Sequence, residues 1–256
     1  MNGMTLDLTI LGPAFVAGLL VLATHVPMGR QVLARGIIFI DLAVAQVAGL
    51  GAITASLFDW DVHGFEAEIA AFAAALLGAL LLWWTERAWP EIQEALIGVL
   101  FVLAATGGIL LLAHDPHGGE HLRELLVGQI LWVDYARLLP TAVLYALVLA
   151  AWFGLRNTRN PLLFYPLFAI TVTVSVQLVG VYLVFASLIV PAIAVRGLPG
   201  GRGLAVGYGV GALGYAAGLL LSLRFDLPAG AIIVWTLSGC ALIAALLTAR
   251  LLKSAP

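Results

Sequence analysis

Residues 161–195 carry no formal charge, and Arg159 and Arg196 close the stretch at its two ends. A membrane-spanning helix takes roughly 20 apolar residues, so this run is too long for one pass. Arginines beside membrane segments favour the cytoplasmic side. The chain is therefore expected to enter the membrane, turn near residues 177–180 and return, with Gln177 as the one strongly polar side chain in the middle and Pro191 on the return leg. That parity governs how every other segment is placed.

The rest of the chain supports a membrane setting. Of its 256 residues 62% are hydrophobic and 10% charged, and the mean hydropathy is +1.08. Soluble domains are nearer half apolar and a quarter charged. Bilayer-length apolar runs recur throughout, so residues 1–256 are expected to form a single transmembrane domain. The fold class expected is all-α, a polytopic helix bundle of about eight or nine membrane segments, some of them discontinuous. The lone Cys240 excludes an internal disulfide and a cysteine metal cluster. Residues 1–7 lack the basic flank of a signal peptide, so the first apolar run is expected to stay as a spanning helix.

Helices are expected at about residues 8–27, 36–58, 69–85, 95–113, 136–155, two within 161–195, 204–223 and 229–252. Residues 125–133 are too short to span and read as a re-entrant or interfacial piece. This path places nine of the twelve basic residues in the cytoplasm: Arg30, Arg35, Arg87, Arg156, Arg159, Arg196, Arg202, Arg250 and Lys253. Only Arg123, Arg137 and Arg224 fall outside. Treating 161–195 as one pass gives a worse split, so the charge bias favours two.

Few polar groups stand out against this background. Asp41 lies inside an apolar run, six residues beyond Arg35, and Gln46 follows five residues later. A carboxylate in hydrocarbon is costly and marks an ion path, a proton relay or a structural partner. The bland alternative is that Asp41 caps a broken helix or pairs with Arg35. His114, His117, Glu120 and His121 form the densest group of metal-ligand types. Imidazole and carboxylate suit zinc and other borderline divalent ions, although a solvated polar loop has the same composition and Gly118-Gly119 argues against a helix there. His63 and neighbouring acids could add to an electronegative external mouth. His25 reads as interfacial packing. Gly209-x-Gly211-x-x-Gly214 has the spacing of a dinucleotide fingerprint but follows no strand, so the pairs Gly207/Gly211 and Gly214/Gly218 are read as close helix packing. There is no nucleophile with its base, no phosphate loop and no nucleic-acid surface, so the chain is expected not to be an enzyme, and any ATP hydrolysis belongs to another polypeptide.

Residues 176–194, VQLVGVYLVFASLIVPAIA, resemble the late signature of the permease subunits of zinc/manganese-type metal ABC importers, a Val-Gly-x-Leu-Leu-Val-x-Ala-Leu-Leu-x-x-Pro-Ala-Ala core. Residues 35–51 around Asp41, 94–112 with Ile97-Gly98 and Gly107-Gly108, and 126–131 with Gly128-Gln129-Ile130-Leu131 resemble three further regions of that family in order. The resemblance implies a homodimeric permease of the bacterial inner membrane, with an ABC ATPase subunit on the cytoplasmic side and a soluble metal-binding protein outside. It implies alternating access with no permanently bound cofactor, transporting Zn2+ first and Mn2+ second. Asp41 and the His114-His121 loop are the expected metal residues, and Asp41, Gln46, Gln177, Gly180 and Pro191 the expected path or gate. Two departures stand out. Ile40 precedes Asp41 where the family has glycine, and Ala45 stands where it has histidine, so only Asp41 carries over. The family's coupling segment before the late signature is reduced here to residues 156–161. Candidate ATPase contacts are therefore Arg87, Glu91 and Glu94, with Arg156 and Arg159. A carrier driven by an ion gradient through Asp41, and a non-transporting membrane metal-binding subunit, are the competing classes.

Overall fold

The computed structural model describes residues 8–56, 64–113, 118–154 and 161–253. Along them run α1 (Leu8–Arg35), α2 (Ile40–Ser56), α3 (Phe65–Ala88), α4 (Gln93–Leu111), α5 (Gly118–Val127), α6 (Tyr135–Gly154), α7 (Pro161–Val179), α8 (Val181–Ala194), α9 (Gly200–Phe225) and α10 (Ala229–Lys253). Two 3-10 turns, Pro90–Ile92 and Ile130–Trp132, precede α4 and α6. There is no strand among the described residues, and seven of the helices are long and apolar enough to cross a membrane. The apolar helices α2 and α8 are shorter. At 1.5 Å per residue α8 reaches only about 21 Å, less than the roughly 30 Å of hydrocarbon. The long apolar stretch thus holds two helices, as its length required, separated by the single residue Gly180.

Two expectations are corrected. α1 continues past Pro27 to Arg35. Proline removes one backbone donor, which would leave the Ala23 carbonyl without its partner four residues on; the Tyr208 hydroxyl donates to it at 3.1 Å. His25 consequently lies inside a helix, fully buried. Residues 118–127 form a helix that begins on the glycine pair expected to prevent one. The stretch 125–133, read as a re-entrant or interfacial piece, consists of the end of this helix, Gly128 and a single 3-10 turn.

The chain divides into two compact units. The first comprises Met1–Gln31, Val127–Ala146 and Leu178–Pro256. Within it α9 uses its glycines on two sides. A Cβ at Gly211 or Gly207 would meet Leu22 or Val26 of α1, and one at Gly214 or Gly218 would meet Leu237 or Ile233 of α10. Thr236 Oγ1 donates to the Gly214 carbonyl at 2.7 Å across the second contact. Arg30 donates to the Gly200 and Leu198 carbonyls at 2.9 and 3.1 Å, holding the turn between α8 and α9 against α1. Gly128 and Gly180 cross backbone to backbone, at φ of 71° and 81°. A Cβ on Gly128 would strike Val179 and the Gly180 amide, and one on Gly180 would strike Gly128 and Val127.

The second unit comprises Val32–Leu126 and Leu147–Gln177. The buried seam of α3 is Ala67, Ala71, Ala75, Gly78, Ala79, Leu82 and Thr85, a stripe at helical spacing whose small residues let α2 approach. A Cβ at Gly51 of α2 would meet the Ala70 carbonyl, and one at Gly78 would meet Val47. On another face, Leu50 and Ile53 of α2 fill the space over Gly107 and Gly108 of α4. The start of α7 is aromatic: Phe164 stacks on Phe168 at 5.3 Å between ring centroids and lies 6.1 Å from Trp152 of α6.

Positive φ disfavours any residue with a Cβ, by about 1–3 kcal/mol per position before the clash is counted. Gly128→Ala and Gly180→Ala should each lower the melting midpoint of the detergent-purified protein. Gly98→Ala, where a Cβ meets nothing within 4 Å, should leave it unchanged or slightly raised. Equal midpoints for all three would contradict the crossing.

Candidate functional site

The polar groups of the second unit gather where α1, α3 and the α2 and α4 N-termini meet. α1 ends in a glycine-terminated cap: the Gly36 amide donates to Leu33 and the Ile37 amide to Val32, both at 3.3 Å. The cap leaves Arg35 in the last helical turn. Its Nη1 reaches Glu86 Oε1 of α3 at 3.4 Å, and its guanidinium lies 4.3 Å from the centroid of the Phe164 ring. Both partners of the ion pair are mostly covered, with 15% and 21% of their side chains exposed. Screening by water is accordingly reduced.

Gln93, at the start of α4, is buried beside this pair. Its Nε2 donates to the Leu82 carbonyl at 2.9 Å and to the Tyr165 hydroxyl at 3.1 Å, joining α3, α4 and α7. Glu94 is half-buried, and its Oε1 accepts the Phe39 N–H at 3.3 Å just ahead of α2. A negative group there satisfies an open amide and complements the positive helix end. That contact gives Glu94 a partner within the protein at the position where the sequence suggests ATPase contact. Arg87 and Glu91 are exposed as expected, with Arg87 5.3 Å from the centroid of the Trp83 ring.

Asp41 occupies the first turn of α2 and is 1% exposed. Neither carboxylate oxygen has a hydrogen-bond partner from another element among the described residues; the amides of Asp41 and Leu42, in its own turn, are what lie close. Arg35, the other half of the bland alternative, forms an ion pair with Glu86. The Phe39 amide that Glu94 accepts lies two residues before Asp41 in the chain. Glu86 Oε2, Glu94 Oε2 and Gln93 Oε1 are likewise buried without a partner. Hydrogen-bond acceptors thus outnumber donors at this end of the unit, an arrangement that suits a bound cation.

The other sequence candidates are dispersed. Gln46 is buried on α2, one turn and a little more beyond Asp41. Gly180 and Pro191 are buried at the start and near the end of α8, whereas Gln177 is exposed on an otherwise buried length of α7. Glu120 is exposed on α5 and His121 lies in the same helix; His114 and His117 fall outside the described residues, as do Arg156, Arg159 and His63. No group of three or more histidine, cysteine or carboxylate side chains able to hold a metal occurs among the described residues. In the first unit His25 donates from Nδ1 to the Val21 carbonyl at 2.9 Å, and its Nε2 has no partner among the described residues. Ser187 of α8 and Tyr215 of α9 share a buried hydrogen bond at 2.8 Å. Glu86, Gln93 and Tyr165 escaped the sequence reading. The pair Gln93-Glu94 at a helix start was the available signal for part of the cluster.

Known proteins resemble this chain along most of its length. The ABC 3 transport family matches residues 7–158 and 150–248. An uncharacterized membrane protein of Synechocystis sp. is 30% identical over 86% of this chain and 84% of its own. A protein of Thermotoga maritima named as a probable metal transport system membrane protein is 27% identical over 89% of this chain and 86% of its own. Among solved structures, PsaBC from Streptococcus pneumoniae in complex with Fab aligns with a TM-score of 0.71 at 22% identity, over 91% of this chain and 90% of that one. An inward-facing structure assigned to the metal-chelate type of ABC transporter aligns with a TM-score of 0.60 at 17% identity, over 98% and 89%. These two establish a shared fold.

Arg35 and Glu86 should be energetically coupled. Arg35→Ala strands a half-buried carboxylate and should destabilise more than Glu86→Gln. The double variant should be less destabilised than the sum of the two, by about 1 kcal/mol. Strict additivity in thermal or denaturant unfolding would show that the pair contributes nothing.

Proposed function

The chain belongs to the ABC 3 transport family, the permeases of metal ABC transporters, and on that premise we propose that it is the membrane subunit of an importer of divalent transition-metal ions, zinc or manganese. The observation that carries the reading is Asp41, a carboxylate enclosed in an apolar bundle with neither oxygen hydrogen-bonded to another element among the described residues. Burying an unpaired charge is expensive, and a passing divalent cation offsets that cost. The name of the Thermotoga relative points the same way.

In this account all 256 residues act as one permease domain in the bacterial inner membrane, and two copies enclose the path. A soluble metal-binding protein delivers the ion outside, where His114, His117, Glu120 and His121 would receive it. A separate ABC ATPase docks inside, against Arg87 and Glu91 of the α3–α4 turn and against Arg156 and Arg159. Transport is alternating access: the ion passes Asp41 and Gln46, and the α7–α8 break at Gly180, with Gln177 and Pro191 on either side, serves as the gate. The chemistry of ATP hydrolysis stays on the partner.

The test is reconstitution with the ATPase in liposomes. Wild type should accumulate zinc or manganese only with ATP, and Asp41→Asn should lower the flux at least tenfold without lowering the melting midpoint. No ATP-dependent flux of either metal would overturn the reading. Uptake by the chain alone, driven by a proton gradient, would favour a secondary carrier.

A further inference from the structure

We propose that Glu94 is the second carboxylate ligand to the ion held by Asp41, making the site at the start of α2 oxygen-only and selective for manganese over zinc. The inference rests on the metal-permease reading and reverses the zinc-first order expected from the sequence.

The geometry is local. Glu94 Oε1 accepts the Phe39 amide at 3.3 Å, two residues before Asp41, while its other oxygen, Oε2, is buried and has no partner among the described residues. Asp41 supplies an independent sign of a ligand, being 1% exposed with neither oxygen hydrogen-bonded to another element among the described residues. The cation of this region, Arg35, is engaged by Glu86 and the Phe164 ring. Ala45, one turn after Asp41, carries no donor atom, and the buried polar side chain next along α2 is the amide Gln46. Two carboxylates completed by water make a hard oxygen environment. Such sets suit manganese, calcium and magnesium, whereas imidazole favours zinc.

Glu94 has a plain structural role as well, since its contact with Phe39 caps α2. Glutamine keeps an oxygen for that cap and loses only the charge, so Glu94→Gln separates the two roles. The reconstituted permease–ATPase complex would be assayed for ATP-driven uptake of 54Mn and 65Zn alongside melting of the purified chain. Wild type should prefer manganese. Glu94→Gln should melt like wild type and lose at least tenfold in manganese uptake, and Glu94→His should shift the manganese-to-zinc ratio at least tenfold toward zinc. If Glu94→Gln carries both metals at the wild-type rate and ratio, Glu94 is only a cap and the inference falls. If wild type carries neither metal, the permease reading itself fails, a result distinct from the first.

Discussion

A backbone amide or carbonyl placed in hydrocarbon has no water to turn to, so each must find its partner within the protein. In a chain this apolar that requirement selects helices and then polices every place where a helix is interrupted. Pro27 opens one carbonyl and Tyr208 closes it. Asp226, in the left-handed region at φ 52°, ends α9 and lets the Leu227 amide return to Ser222 at 3.1 Å. Between α7 and α8 the helix breaks for a single residue, and that residue lies against another non-helical glycine, Gly128. At that break the irregular backbone is covered by protein, since both glycines lie against other main-chain atoms.

With hydrophobic burial offering little preference between lipid and protein, close approach has to come from small side chains. The alanine seam of α3 and the two glycine faces of α9 supply it, one for each compact unit. The polar groups follow a different logic. Six buried side-chain atoms lack partners among the described residues, and five of them are acceptors on Asp41, Glu86, Gln93 and Glu94. Orphaned acceptors scattered at random would suggest only local strain. Gathered where α3 ends and α2 and α4 begin, beside an arginine already paired, they describe an environment short of positive charge. That shortage is the physical basis for assigning a cation to this place.

Much of this was legible in the chain itself. Run lengths located nine apolar helices, and the uncharged stretch ahead of Arg196 did resolve into two. The spacing of Gly207, Gly211, Gly214 and Gly218 announced close packing, and Asp41 stood out by its surroundings alone. Where the reading went astray, tertiary contacts had the deciding voice. Pro27 reads as a stop unless Tyr208 is known to face it. Gly118-Gly119 reads as a loop, although α5 starts there, and a Cβ on Gly118 would collide with Leu112. Nothing local to Glu94 shows that the Phe39 amide lies opposite it. Tyr165 was counted as apolar, and its hydroxyl matters only because Gln93 arrives from another helix.

The central claim is that a divalent ion binds at the Asp41 carboxylate rather than merely visiting the external loop. Anomalous diffraction from crystals of the permease soaked in manganese addresses it directly. The account predicts an anomalous peak within coordinating distance of the Asp41 oxygens, absent from Asp41→Asn crystals. A peak confined to the His114–His121 loop, with none beside Asp41, would contradict it.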